Sequence, residues 1–422
     1  MYIPYIFRQF QGFKVKDIKE SHVRQHMRII LEPNQDRGRL CRVCGGKLGR
    51  KRGEYYIEAR HLKVFSWSSS VVVAVSKCEC GKCKKVRSEL IEFLCPTSPH
   101  ITMELAWWLN RLTGITSVLQ VSKLESIDKM SCYKADKHIL ARILQGYKIP
   151  DVTHISVDEV YARGPRQQKS GETRDDLFLT VIVDQRTRKV IWVSHSRRKE
   201  ALDMFFNLIG EEACEKIKIV AMDQHRGYGE SVREHCPRAK VVWDKFHLLQ
   251  NFNKALNDER KYEFSQAEQS GKDVMKLLRG KHRFLFLKRH YKRSIREKDH
   301  LSEVMSLNRR MMVLELIKER IHRMFSSRST EEAQGHLVVC YDWADHIKAK
   351  NIKRWIWQLM DKDEFWNYFK YPYTTSVSEG INRVIKGLKW QAYGYKDMNY
   401  FALKIMQKCG YLNYEYALKE IN

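Results

Sequence analysis

Short apolar runs alternate with amphipathic segments between residues 154 and 243, and this pattern restricts the possible folds more than any other feature of the chain. The apolar runs favour strands, and the segments with a three- to four-residue period favour helices. The predicted strands are 154–161, 177–184, 190–194, 217–222 and 239–243, and the predicted helices are 200–208 and 228–235. We therefore predict an antiparallel meander followed by helix-linked parallel strands.

This order of strands and helices is the plan of an RNase H-like domain. In open α/β sheets, ligands bind beyond the carboxyl ends of the parallel strands. Asp223 follows the predicted strand 217–222 directly and so lies at such an end. We expect a multidomain α/β protein whose catalytic core contains this sheet.

Three carboxylates occupy positions suited to one site: Asp158 within a strand, Asp223 after a strand and Glu379 in the first turn of a helix. Asp223 and Glu379 have ordinary explanations as well, because aspartate caps helices and turns, and glutamate favours the helix N-terminus. Asp158 is harder to explain in this way, because a carboxylate inside a strand is costly unless it is paired or bound to a metal. Glu159, on the opposite strand face, is an alternative to Asp158. Together, the three could hold two Mg²⁺ or Mn²⁺ ions, which prefer oxygen ligands.

The charge of the chain suggests what such a site would act on. Lysine and arginine number 77 and acidic residues 50, which gives a formal net charge of +27. An acidic pocket in a basic protein fits a nucleic-acid substrate, although a ribosomal or membrane-surface protein would also be basic. No apolar run approaches the ~20 residues of a membrane span, and the N-terminus resembles no signal peptide. We expect two to four domains and a cytoplasmic location.

Five of the eleven cysteines are clustered. Cys41 and Cys44 form one C-x₂-C pair, and Cys80 and Cys83 form another, with a hairpin-like stretch between the pairs. Four thiolates at this spacing predict one structural Zn²⁺ in a zinc ribbon, within an N-terminal domain of residues 1–98. Cys78 competes with Cys80 as a ligand, and free reduced thiols are the alternative to zinc.

Residues 99–150 contain three short amphipathic segments, at 103–112, 116–124 and 134–144, and the last of these begins near Ser131. Three helices with short connections fit a helix-turn-helix, whose last helix enters the major groove of DNA. Lys134, Lys137 and Arg142 would then contact DNA. The alternative is a helical linker that buries its apolar residues in a core.

Residues 253–371 are predicted to be an all-α insertion, because no proline occurs between Pro237 and Pro372. Apolar residues at helical spacing across 304–321 predict one long amphipathic helix. The strongly basic segment 288–298 either contacts DNA phosphates or is a solvated helix face.

At this point the chain resembles bacterial DDE transposases of the ISL-three insertion-sequence type. The resemblance rests on the cysteine pairs, ISVDEV, AMDQHRGY, the D-x₂-H segment formed by Asp244 and His247, and SEGINRVIKGLKWQAYGY. It implies an RNase H-like core (151–252 and 372–422) interrupted by the insertion, with Arg383 and Lys386 near the substrate phosphate.

The resemblance further implies a DNA transposase that binds the terminal repeats of an insertion sequence and performs metal-dependent strand cleavage and strand transfer. Its partners would be double-stranded DNA, at the element ends and the target, and a second or further copy of the chain. It would work in the bacterial cytoplasm, associated with the nucleoid when bound to DNA. A domesticated, non-catalytic DNA-binding regulator and an RNase H-like nuclease without strand transfer are the alternatives.

Overall fold

The computed structural model describes residues 10–35, 37–168, 170–269, 287–371, 373 and 376–413. The chain divides into two compact units, one formed by Met1–Lys148 with Val384–Asn422 and the other by Ile149–Arg383. The helix Ser376–Gln391 begins in the second unit and ends in the first. In the described part of the chain, no helix is long and apolar enough to cross a membrane.

The first unit contains a seven-stranded mixed sheet of order β1-β2-β4-β3-β7-β6, with β5 paired to β4. The strands are β1 (Phe13–Ser21), β2 (His26–Pro33), β3 (Leu48–Val64), β4 (Trp67–Cys80), β5 (Lys85–Ser88), β6 (Leu94–Cys95) and β7 (Ser98–Thr102). The hairpin predicted between the cysteine pairs is confirmed as β3 and β4. Its alternating apolar residues pack in register, as Ile57 opposite Val73 and Ala59 opposite Val71. The sheet is larger than a minimal ribbon.

Three helices follow the sheet: α1 (Met103–Ile115), α2 (Val118–Leu124) and α3 (Lys129–Gly146). Thr102, Ser117 and Asp128 cap them, each accepting a hydrogen bond from a backbone N–H in the first turn. The third helix begins earlier than predicted because Asp128 provides the cap.

The last described helix, Met398–Cys409, packs in this first unit, whereas the sequence assigned residues 372–422 to the catalytic core. A buried polar cluster accounts for the difference. Asp136 on α3 accepts hydrogen bonds from Asn110 (2.8 Å) and Thr113 (2.7 Å) and forms an ion pair with Lys404 (3.3 Å). Because a buried charge is costly without its partner, these contacts fix the last helix against α1 and α3.

The second unit contains a five-stranded sheet of order β10-β9-β8-β11-β12. The strands are β8 (His154–Tyr161), β9 (Phe178–Asp184), β10 (Lys189–His195), β11 (Ile219–Met222) and β12 (Lys240–Trp243), and the helices between them are α4 (Lys199–Ile209), α5 (Glu211–Lys216) and α6 (Arg226–His235). β8, β9 and β10 are antiparallel, whereas β8, β11 and β12 are parallel. The predicted meander and the parallel strands after it are confirmed.

A helical region follows β12, with α7 (Lys245–Gln269), α8 (Ile295–Leu307), α9 (Arg309–Met324), α10 (Thr330–His346), α11 (Lys350–Met360) and α12 (Asp363–Lys370). The single helix predicted across 304–321 is wrong. The chain breaks at Asn308, whose side chain accepts a hydrogen bond from the backbone N–H of Met311 and so caps α9. Apolar residues of α7–α12 form one buried core.

Candidate active site and zinc cluster

The register of two parallel strands brings two of the predicted acids together. Val157 of β8 is aligned with Met222 of β11, so the next residues along the two strands are Asp158 and Asp223. Only 7% of Asp158 is exposed. Burial and the negative charge of Asp223 together raise the pKa of Asp158 to about 7. Two neighbouring carboxylates therefore resist simultaneous ionisation unless a cation joins them.

His247 is the positive partner of this pair. Its Nδ1 contacts Asp223 Oδ1 and lies 3.2 Å from Asp244 Oδ2. Burial lowers the pKa of His247, but the two carboxylates outweigh it and raise the pKa to about 10. Asp244 also accepts a hydrogen bond from the backbone N–H of Phe246 (3.1 Å), which anchors the start of α7. The D-x₂-H segment thus places an imidazolium against the second acid.

The helix Ser376–Gln391 contacts β8 through two side chains on either side of Glu379. Ser378 Oγ lies 2.6 Å from Ser156 Oγ, and Asn382 Nδ2 donates a hydrogen bond of 2.7 Å to Asp158 Oδ2. Glu379 itself is 47% exposed and pairs with Arg383 at 2.8 Å. The structure therefore brings Asn382 into contact with Asp158, and the convergence of Glu379 with the two aspartates stays a prediction.

Asn382 was missed by the sequence analysis, although it lies one helical turn after Glu379. Its amide N–H₂ faces Asp158, to which it donates the hydrogen bond. This leaves the amide oxygen Oδ1, which is buried and has no hydrogen-bond partner among the described residues. A buried oxygen without a donor is costly, so this atom suits a ligand or water that arrives with the substrate.

The two candidates for the first acid are separated by the strand pleat. Asp158 neighbours Asp223, whereas the carboxylate of Glu159 pairs with Arg197 at 3.3 Å. The oxygen atoms around Asp158 fit a divalent cation. The carboxylates of Asp158 and Asp223 are adjacent, Asp158 is deeply buried, and the amide oxygen of Asn382 lies beside them. Oxygen donors of this kind suit Mg²⁺ or Mn²⁺.

The four predicted zinc ligands form a separate cluster in the first unit. The Sγ atoms of Cys41, Cys44, Cys80 and Cys83 all lie within 4.8 Å of one another. The backbone N–H of Cys83 contacts Cys80 Sγ at 3.3 Å and helps to lower the pKa of Cys80 to about 6. Cys78 is outside the cluster, buried in β4. The geometry favours Cys80 as the fourth ligand, and the tetrahedral reach of four thiolates fits Zn²⁺.

The predicted DNA-contact residues differ in their surroundings. Lys134 and Arg142 are exposed on α3, and Lys386 is exposed on the helix that carries Glu379. Lys137 is half-buried and forms an ion pair with Asp397. Its position suggests a role in packing as well as any contact with DNA.

The basic segment 288–298 is not a uniformly solvated face. Arg293 is buried and forms two hydrogen bonds with Glu315, of 2.6 and 3.0 Å. Lys292 remains exposed. Arg293 is therefore part of the helical core and does not contact phosphate in this arrangement.

Comparison with known proteins gives a consistent result. The model of the ISL-three transposase family, described as "Transposase", matches residues 155–405. The chain is 23% identical over 408 residues to the transposase for insertion sequence element IS1001 of Bordetella parapertussis. This alignment covers 94% of this chain and 95% of that protein. It is 24% identical over 235 residues to the transposase for IS1557 of Mycobacterium tuberculosis, covering 49% of this chain and 50% of that protein.

The matched region contains Asp158, Asp223, Asn382 and Glu379, the residues that the fold gathers around β8 or carries on the helix that packs against it. Membership of this family accounts for the basic charge of the chain, since its members act on DNA. The chain belongs to the ISL-three family and is an insertion-sequence transposase.

Proposed function

We propose that the five-stranded sheet is an RNase H-like catalytic core in which Asp158, Asp223 and Glu379 hold two Mg²⁺ or Mn²⁺ ions. The observation that carries this proposal is the alignment of β8 with β11, which makes the two aspartates neighbours. The strand order, three antiparallel strands followed by two parallel ones, supports the same core. The docking of Ser378 and Asn382 on β8 supports the third acid, because it packs the helix that carries Glu379 against the strand that carries Asp158.

The bound ions would activate a water or a DNA 3′-hydroxyl and stabilise the leaving 3′-oxygen. The residues of the chain do the remaining work. Asn382 orients the Asp158 carboxylate, and His247 holds the Asp223 carboxylate from the other side. Hydrolysis at the element ends exposes 3′-hydroxyls, and the same site then joins those hydroxyls to target DNA, with no covalent bond between protein and DNA.

Cleavage and joining are tested by incubating the protein with Mg²⁺ and DNA that carries the element's own ends. Asp158→Asn and Asp223→Asn should each abolish cleavage while DNA binding persists. Glu159→Gln is the matched control, since Glu159 lies on the same strand but pairs with Arg197. An Asp158→Asn protein that still cleaves would exclude the proposed site. Cleavage followed by joining would indicate a transposase, whereas cleavage without joining would indicate a simple nuclease.

The three helices α1–α3 and the zinc cluster would recognise the element ends. The protein would bind these ends as a dimer or a larger assembly. Base contacts from Lys134 and Arg142 should give sequence specificity, whereas phosphate contacts from Lys292 should act equally on every sequence. Replacing Lys134 or Arg142 by alanine should narrow the affinity gap between element ends and random DNA by about 1–3 kcal/mol. Replacing Lys292 should lower both affinities equally and flatten their salt dependence. Identical behaviour of the two sets would reject the helix-turn-helix assignment.

A further inference from the structure

A large cavity lies in the first unit, apart from the residues assigned above to catalysis and zinc binding. Its volume is about 590 Å³, and its wall is mainly apolar and aromatic. Ile115, Leu119, Met130, Tyr133, Tyr393 and Tyr395 are among its lining residues. One side comes from the ends of α1, α2 and α3, and the other from the loop after the helix Ser376–Gln391.

Tyr393 occupies a backbone position that normally requires glycine. The helix ends in a Schellman motif, with a hydrogen bond of 2.9 Å from the Gly394 N–H to the Lys389 carbonyl and one of 3.1 Å from the Tyr393 N–H to the Trp390 carbonyl. The residue after the cap in this motif is left-handed, and Tyr393 has φ +54°. A bulky side chain at positive φ is strained.

Packing does not explain why tyrosine occupies this position. Tyr393 exposes 93% of its surface, and Trp390, in the last turn of the helix, exposes 81%. Strained backbone positions cluster at sites of function. An exposed aromatic ring in the wall of an aromatic-lined cavity is suited to a flat, apolar ligand.

The charges around the cavity indicate that this ligand is part of a polyanion. Lys129 and Lys396 line the cavity and are exposed, and Lys386 is exposed on the helix before it. The two carboxylates in the lining, Asp128 and Asp397, serve as helix caps, and Asp397 is also paired with Lys137. The lysines are therefore the charges available to an incoming group. Exposed cations interleaved with exposed aromatic rings form a stacking surface for unpaired nucleotides.

We propose that this cavity receives a nucleobase taken out of the DNA duplex, with Tyr393, one of its lining residues, as the stacking residue. The inference rests on the proposed function in that the DNA is the substrate of the transposase. It adds a base-binding site outside the acidic site. A base that leaves the stack loses its neighbours, and the aromatic rings replace them.

The proposal is tested with a 30-base-pair duplex of random sequence and the same duplex containing a two-nucleotide mismatched bubble. Binding is measured with Ca²⁺ in place of Mg²⁺, in the Asp158→Asn background, so that cleavage plays no part. The parent should bind the bubble more tightly than the paired duplex. Tyr393→Gly should lose roughly 5- to 150-fold of bubble affinity, the effect of one base–aromatic contact. Tyr393→Phe should keep it.

Tyr393→Gly also separates ligand binding from folding. Glycine relieves the left-handed backbone, so this variant should melt at the same temperature as the parent or higher while its bubble preference disappears. Trp357→Ala and Tyr56→Ala are the matched controls, because these side chains are 66% and 71% exposed elsewhere in the chain.

Three results would overturn the proposal: a parent with no preference for the bubble, a Tyr393→Gly protein with full preference, or variants that change the oligomeric state instead of base binding. The last would assign the cavity to a second copy of the chain. None of these depends on strand cleavage, so a failed cleavage assay and a failed base-binding assay are distinct outcomes.

Discussion

Replacing Asp158 by asparagine should stabilise the second unit when no divalent ion is added, although it abolishes cleavage. The side chain of Asp158 is buried beside Asp223, and its pKa is raised from 3.8 to about 7. At 1.36 kcal/mol for each pKa unit, ionising it in the folded protein costs about 4 kcal/mol at most. Asparagine has the same shape and no charge, and Asn382 can turn its amide so that Oδ1 accepts from the new N–H₂.

The gain in the free energy of unfolding that Asp158→Asn brings must depend on pH in a defined direction. Between about pH 4 and pH 7 the folded chain holds more protons at Asp158 than the unfolded chain, so the free energy of unfolding falls as the pH rises. Below this window the carboxyl is protonated in both states and asparagine brings no advantage. Above this window the folded protein bears the full cost of ionising Asp158, which asparagine avoids. Asp158→Asn should therefore approach a gain of about 4 kcal/mol at pH 8 and lose it near pH 4.

Hydrogen exchange of the β8 amides is the suitable assay, because a chain with two compact units need not unfold in one step. Glu159→Gln is the control on the same strand; it loses the ion pair with Arg197 and should bring no gain. A gain of equal size at pH 4 and pH 8, or no gain at pH 8, would refute the account of Asp158. Added Mg²⁺ should stabilise the unmodified protein at pH 8 and leave Asp158→Asn unchanged.

Three further outcomes follow from the contacts around the two sites and the helical core. Asn382→Ala should weaken Mn²⁺ binding, measured by electron paramagnetic resonance without DNA, by about 10- to 100-fold, because it frees the carboxylate that the amide orients. Ser378→Ala, on the same helix and docked on the same strand, should leave that affinity unchanged. Cys80→Ser should lose the zinc found by elemental analysis of purified protein, whereas Cys78→Ser should retain about one equivalent. Arg293→Ala should destabilise the helical region by about 2–3 kcal/mol in urea denaturation, through the loss of two charge-assisted hydrogen bonds, without altering the salt dependence of DNA binding.

Local patterns of the sequence were sufficient to predict most secondary structure. The short apolar run in the segment 154–161 and the continuous apolar run that ends at Met222 correspond to β8 and β11. Asp128 and Asn308 show where such prediction falls short. Both are capping residues that can be read from the sequence. The period of the apolar residues alone places the start of α3 too late and joins α8 to α9 in one helix.

The sequence by itself determined which residue types are present and where strands and helices form, because both depend on short-range periodicity and backbone preference. Tertiary structure decided the rest. The neighbourhood of Asp158 and Asp223 depends on the register between strands that are 65 residues apart in the chain. The contact of Asn382 with Asp158 and the burial of Arg293 against Glu315 depend on helix packing across long separations. Such contacts are set by which surfaces exclude water together, and no local pattern encodes that choice.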